Sequence, residues 1–131
     1  MTIEDRQRIK YMLNEATELA ASYPEQLSNV EDFILWNLPD EFGLSWIAAR
    51  DMEIINQLES SGVLPQKLID AMNDIVDQFD NAFEVSDDES NDVFTHEAMK
   101  ESIFWTDLRR TAKQIAEELT CILDESPEST Q

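Results

Sequence analysis

Apolar residues recur at intervals of three and four along almost the whole chain, and this spacing constrains the fold more than any other feature. It is the period of an amphipathic helix, whereas a half-buried strand would need strict alternation. Residues that interrupt helices are scarce among the 131, and they are Gly43, Gly62, Pro24, Pro39, Pro65 and Pro127. The pattern predicts an all-α, single-domain bundle of about five helices with a long C-terminal helix.

Capping residues and breakers predict where each helix begins and ends. We expect a first helix from Thr2, whose spacing to Asp5 approximates a capping box, and we expect Pro24 to end it. The second helix is predicted from Ser28 to before Pro39, and the third from Asp40 or Leu44 to Ser60, with Gly62 ending it. The fourth is predicted from Pro65 to about Glu84, and the last over 95–123. We therefore expect one domain over residues 1–123 with an acidic loop at about 85–94, followed by an acidic flexible tail over 124–131.

The last predicted helix carries a continuous apolar seam. Its members are Trp105, Leu108, Ala112, Ile115, Leu119 and Ile122. A seam of this length would bury itself either inside the chain or against another helix.

The net charge excludes several classes of partner. The chain has 29 acidic and 9 basic residues, a formal charge of −20, so it would repel nucleic acid phosphates and anionic membrane surfaces. One cysteine, Cys121, cannot form an internal disulfide, and no run of about 18 apolar residues is present. We expect a cytoplasmic protein that binds neither nucleic acid nor membranes.

Much of the negative charge is concentrated in one block. Between Lys67 and Lys100 there are ten acidic residues and no Lys or Arg. Five of them recur along one face of the fourth predicted helix, namely Asp70, Asp74, Asp77, Asp80 and Glu84. The block continues into the loop with Asp87, Asp88, Glu89 and Asp92.

Two interpretations of this block remain open. It is either the solvated side of an amphipathic helix or a docking surface for a basic protein. Like charges four residues apart destabilise a helix by a few tenths of a kcal/mol, and no basic residue is interspersed to relieve them. This observation favours docking, and reversing the charges of Asp74 and Asp77 is then expected to slow association.

Metal binding and catalysis lack the residues they require. Asp87, Glu89 and Asn91 match the first, third and fifth positions of a calcium loop, but Asp92 replaces the turn glycine and Ala98 replaces the bidentate glutamate. His96 is the single histidine, Cys121 is expected to be a buried inert thiol, and no glycine-rich phosphate loop exists. We expect no metal, no cofactor and no enzymatic activity.

Three further residues are predicted from their surroundings. Asp51 interrupts the apolar face of the third helix, so it is expected to be buried and paired with Arg109 or Arg110. Trp36 and Trp46 are expected in the core. If either is exposed, it is a candidate aromatic anchor, because a tryptophan framed by carboxylates would suit a cationic protein.

In size, charge and helicity the chain resembles the small acidic immunity proteins with which bacteria block nuclease toxins. The resemblance implies a cytoplasmic antitoxin that inhibits a basic toxin domain, and it carries over no individual functional residue. The alternative is a non-catalytic structural or assembly adaptor that self-associates or docks through its long C-terminal helix.

Overall fold

A computed structural model of the chain describes residues 1–28, 38–85 and 93–125. These ranges contain helices and no strand, which confirms the all-α prediction. The helices are α1 (Ile3–Ala20), α2 (Tyr23–Ser28), α3 (Leu38–Asp51), α4 (Ile54–Ser61), α5 (Gln66–Val85), α6 (His96–Glu101) and α7 (Ile103–Glu125). Among these described segments, none is long and apolar enough to cross a membrane.

The first and last helices, α1 and α7, form the most extensive contact in the fold. Thr2 caps α1 as predicted, because its side chain accepts a hydrogen bond from the Asp5 amide. The seam of α7 is buried from Trp105 to Leu119, while Ile122 is half-buried and Leu123 completes the seam. The seam therefore packs inside the chain.

The third predicted helix is two helices, α3 and α4, so the prediction of one continuous helix is wrong. Glu53 separates them with φ 62° and ψ 17°, a left-handed conformation that costs an ordinary residue about 1–2 kcal/mol. The break lets α4 bury Ile55 and Leu58. Gly62 ends α4 in the left-handed conformation, as predicted.

Gly43 lies inside α3 rather than between helices. A Cβ atom at this position would lie 2.7 Å from Phe83 Cε2 and 3.2 Å from Phe79 Cδ1. Gly43 therefore does not interrupt the helix; its missing side chain allows α3 and α5 to approach closely. This contact sets α3 beside the helix that carries the acidic residues.

Two other predicted boundaries differ from the structure. Pro24 does not end α1, which stops at Ala20, but lies in the first turn of α2, where a proline needs no amide donor. The last predicted helix is divided into α6 and α7 by Ser102, whose hydroxyl accepts a hydrogen bond from the Phe104 amide. Most of the predicted second helix, most of the acidic loop and the tail beyond Glu125 lie outside the described residues.

Candidate functional site

The five acidic residues of the fourth predicted helix lie together on the outer side of α5. Asp70, Asp74, Asp77 and Glu84 are exposed, and the Asp80 side chain is 45% exposed. The opposite side of α5 is buried and consists of Leu68, Ile69, Met72, Ile75, Val76 and Phe79. We call the five carboxylate residues the acidic face; it is the polar side of a strongly amphipathic helix.

A basic side chain from another helix, that of Arg50, lies against this face. The Arg50 guanidinium, at the end of α3, is 3.8 Å from an oxygen of Asp77 and 3.9 Å from one of Asp80. It is also 3.7 Å from Asp51. These distances are long and the groups are substantially exposed, so each pair contributes little to stability. Arg50 offsets part of the negative charge, a relief that the order of residues along α5 does not reveal.

Glutamines provide the hydrogen bonds to the other end of the face. Gln66 Nε2 donates to Asp70 Oδ1 at 3.0 Å, and Gln78 Nε2 donates to Asp74 Oδ2 at 2.7 Å. Both pairs are four residues apart and therefore adjacent on the helix. A neutral amide orients a carboxylate without cancelling its charge.

Both ends of the acidic loop are attached to the core. Phe94 stacks on Phe83 of α5 with ring centroids 4.1 Å apart, and the Trp105 indole donates a 2.7 Å hydrogen bond to the Val93 carbonyl. The loop therefore starts and ends beside the C-terminal end of α5. Four predicted site residues, Asp87, Asp88, Glu89 and Asp92, lie outside the described residues, as does Asn91 of the calcium-like pattern.

The predicted aromatic anchors are not found on this surface. Trp46 is completely buried, so the condition that it be exposed to a partner is not met. Trp36 lies outside the described residues. The large aromatic side chains around α5 belong to the core instead; for example, Trp105 packs edge-on against Phe79 with ring centroids 5.6 Å apart.

Asp51 is exposed, so the prediction of a buried Asp51 paired with Arg109 or Arg110 is wrong. Arg110 pairs instead with Asp107. The acid held between helices is Glu15, which is 9% exposed and accepts a 2.6 Å hydrogen bond from Ser45. Burial raises the pKa of Glu15, the Ser45 hydrogen bond opposes that rise, and the charge of Glu18 adds to it.

Arg109 has a partner that sequence reasoning missed. Its Nη2 donates to Gln26 Oε1 at 2.9 Å, and burial lowers the pKa of the guanidinium. Gln26 Nε2 donates in turn to the carbonyls of Leu19 and Glu18, at 3.0 and 3.3 Å, in the last turn of α1. The amide therefore satisfies carbonyls that a helix end leaves free and joins α2 to α7. A glutamine two residues after a proline carries no pattern that predicts this role.

Within the described residues, no set of three His, Cys, Asp or Glu could hold a metal ion. Thr95 caps α6, and His96 follows it and forms a 2.7 Å hydrogen bond through Nδ1 with the Tyr23 hydroxyl. His96 therefore connects α6 to α2. Cys121 is exposed, so the prediction of a buried thiol is wrong.

Comparison with known proteins returns no match to any family model, curated protein or solved structure. What the chain does must therefore be inferred from its own surface.

Proposed function

We propose that this chain is an acidic protein-binding module that neutralises a basic protein partner by covering its positively charged surface. The observation that carries the proposal is the acidic face of α5, which presents its carboxylates to solvent and has Arg50 beside Asp77 and Asp80. Such a face accelerates encounter with a cationic surface and repels anionic ones.

The kind of partner follows from where proteins concentrate positive charge. Enzymes that cleave nucleic acids must attract phosphates, so their active sites are basic and an acidic module can occupy them. An immunity protein or antitoxin that inhibits a bacterial toxin, a nuclease being the simplest case, fits this chemistry. The resemblance in size, charge and helicity to acidic immunity proteins supports the same assignment.

The alternative of an adaptor that docks through its last helix finds less support. Its seam from Trp105 to Leu119 is already covered within the chain, with α1 as the main neighbour of α7. Exposing that seam to a partner would require α1 to separate from α7. We therefore propose neutralisation of a basic partner and not assembly through α7.

The test begins with copurification of the chain from its native host. The proposal expects a basic protein whose activity falls as the chain is added and is abolished near a one-to-one ratio. Capture by the double variant Asp74→Lys/Glu84→Lys should be weaker than capture by Glu18→Lys/Glu101→Lys, which has the same net charge but changes exposed acids outside α5. A partner that is acidic, or that is captured equally by both variants, would show the proposal to be wrong.

A further inference from the structure

A shallow groove lies where the start of α5 meets the second half of α7. Its volume is about 290 Å³, roughly twice that of an apolar cavity of about 150 Å³ that accommodates benzene. The lining residues are Pro65, Lys67, Glu117, Glu118, Cys121 and Ile122. Pro65, Cys121 and Ile122 supply an apolar floor, and the other three supply a charged rim.

The groove is continuous with the acidic face. Lys67 lines the groove and lies one turn before Asp70, so the two side chains are neighbours on the same side of α5. The Lys67 ammonium is 3.3 Å from a carboxylate oxygen of Glu118 on α7, which spans the groove and offsets the positive charge of its rim. Glu117 is exposed beside it. An apolar surface therefore borders the N-terminal half of the acidic face.

The charge around the groove and its apolar floor indicate which kind of polypeptide segment it can bind. A second copy of the chain would bring a further charge of −20 to an already acidic rim. The end of the chain, SPESTQ, has no large apolar side chain with which to fill the groove. A segment of a basic partner has both properties that the surface requires, because apolar side chains fit the floor and flanking Lys or Arg meet Glu117, Asp70 and Asp74.

We propose that the groove between α5 and α7 receives the apolar side chains of a basic amphipathic helix of the partner, whose cations lie on the acidic face. This inference rests on the proposed function and supplies the desolvated contact that neither Trp46 nor the described carboxylates provide. The acidic face speeds encounter, and the groove slows release. Burial of one leucine-sized side chain corresponds to a roughly ten- to hundred-fold gain in affinity.

Two synthetic helical peptides of equal positive charge test the proposal. One carries leucines at positions i, i+3, i+4 and i+7 among lysines, and the other has alanines in place of the leucines. Cys121 is the single cysteine of the chain and lines the groove, so its rate of modification by a thiol reagent reports occupancy. We expect the leucine peptide to bind at least roughly ten-fold more tightly and to protect Cys121, whereas the alanine peptide does neither.

Matched variants distinguish binding in the groove from nonspecific hydrophobic binding elsewhere on the surface. Ile122→Ser should remove the advantage of the leucine peptide, while Ile103→Ser, which changes an isoleucine that is 77% exposed at the start of α7, should not. Ile122 packs partly against the core, so Ile122→Ser also affects packing. Alkylation of Cys121 in the chain without substitutions therefore provides a second way to block the groove.

The outcomes distinguish this inference from the proposed function. If both peptides bind equally and neither protects Cys121, the groove proposal fails while charge-driven binding stands. If the leucine advantage survives both Ile122→Ser and alkylation of Cys121, the peptide binds elsewhere and the groove proposal also fails. If neither basic peptide binds at all, both the groove and the neutralising function are overturned.

Discussion

Reversal of charge on α5 should slow association with the basic partner, and the structure decides which residues to change. The sequence favours Asp74 and Asp77, but Asp77 lies 3.8 Å from Arg50, and a lysine there would repel that guanidinium. Asp74 and Glu84 are both exposed, and the ion pairs of Arg50 within the described residues are with Asp51, Asp77 and Asp80 instead. The double variant Asp74→Lys/Glu84→Lys raises the net charge from −20 by four units, to −16.

The expected slowing follows from Coulomb's law. In water, a partner cation about 10 Å away is attracted by about 0.4 kcal/mol for each unit of negative charge on the face. A change of four charge units therefore removes about 1.7 kcal/mol of this attraction before screening. Screening at 0.1 M salt, where the Debye length is about 10 Å, leaves about 0.6 kcal/mol, or a roughly three-fold slower association per partner charge. At 0.01 M salt the Debye length is about 30 Å, so about 1.2 kcal/mol remains, or roughly eight-fold.

Stopped-flow association with the copurified partner, measured at both salt concentrations, gives these ratios directly. The control variant Glu18→Lys/Glu101→Lys also has a net charge of −16, but its changed residues lie on α1 and α6. Four charge units about 20 Å from the partner cation contribute only about 0.1 kcal/mol at 0.1 M salt, so control sites at that distance should leave association nearly as fast as in the original chain. Equal slowing of the two variants would refute a role for the acidic face and leave only an effect of net charge.

Three predictions concern stability and use urea unfolding as the measurement. Gln26→Ala removes two hydrogen bonds to carbonyls and one from the Arg109 guanidinium, so it should lower the free energy of unfolding by about 3 kcal/mol. The control Gln114→Ala, at an exposed position, should lower it by less than about 0.5 kcal/mol, and similar losses in both variants would contradict the network. Glu15→Gln keeps an acceptor for Ser45 and removes a buried charge, so the variant should be the more stable at neutral pH. Burial raises the folded-state pKa of Glu15, so the original chain becomes more stable relative to the Gln variant as pH falls through this pKa toward 4.5. The stability advantage of the Gln variant should shrink over the same pH window. A Gln variant that is less stable than the original chain at neutral pH would contradict this prediction. Glu53→Gly should stabilise by about 0.5–1 kcal/mol, because glycine adopts φ 62° without a Cβ penalty, and a loss of stability would show that the Glu53 side chain matters more than its backbone.

Periodicity predicted the long amphipathic helices because their local pattern and their packing agree. In α5 the apolar stripe from Leu68 to Phe79 faces the core and the carboxylates face outward, as the spacing alone indicates. Thr2 and Gly62 were likewise predictable, since a capping hydroxyl and a left-handed glycine act within one turn of the chain. In these cases the cause lies within a few residues of its effect.

The breaks at Glu53 and Ser102 were not predictable in the same way. Neither residue is a proline or a glycine, and each break redirects a helix whose apolar side chains must reach the core. A strained residue persists because burial elsewhere outweighs its cost, and that balance depends on contacts distant in sequence. The burial of Glu15 in place of Asp51 has the same origin.

The amino-acid sequence by itself determined that this chain forms helices, that one face of α5 is acidic and that the net charge is strongly negative. Those properties follow from local spacing and from summed charge, neither of which needs a fold. Tertiary structure decided that Arg50 lies against Asp77 and Asp80, that Trp46 is buried and that an apolar groove borders the acidic face. Each of these depends on how closely two helices approach. That distance is set by packing across the whole core and by residues such as Gly43, whose lack of a side chain allows close approach.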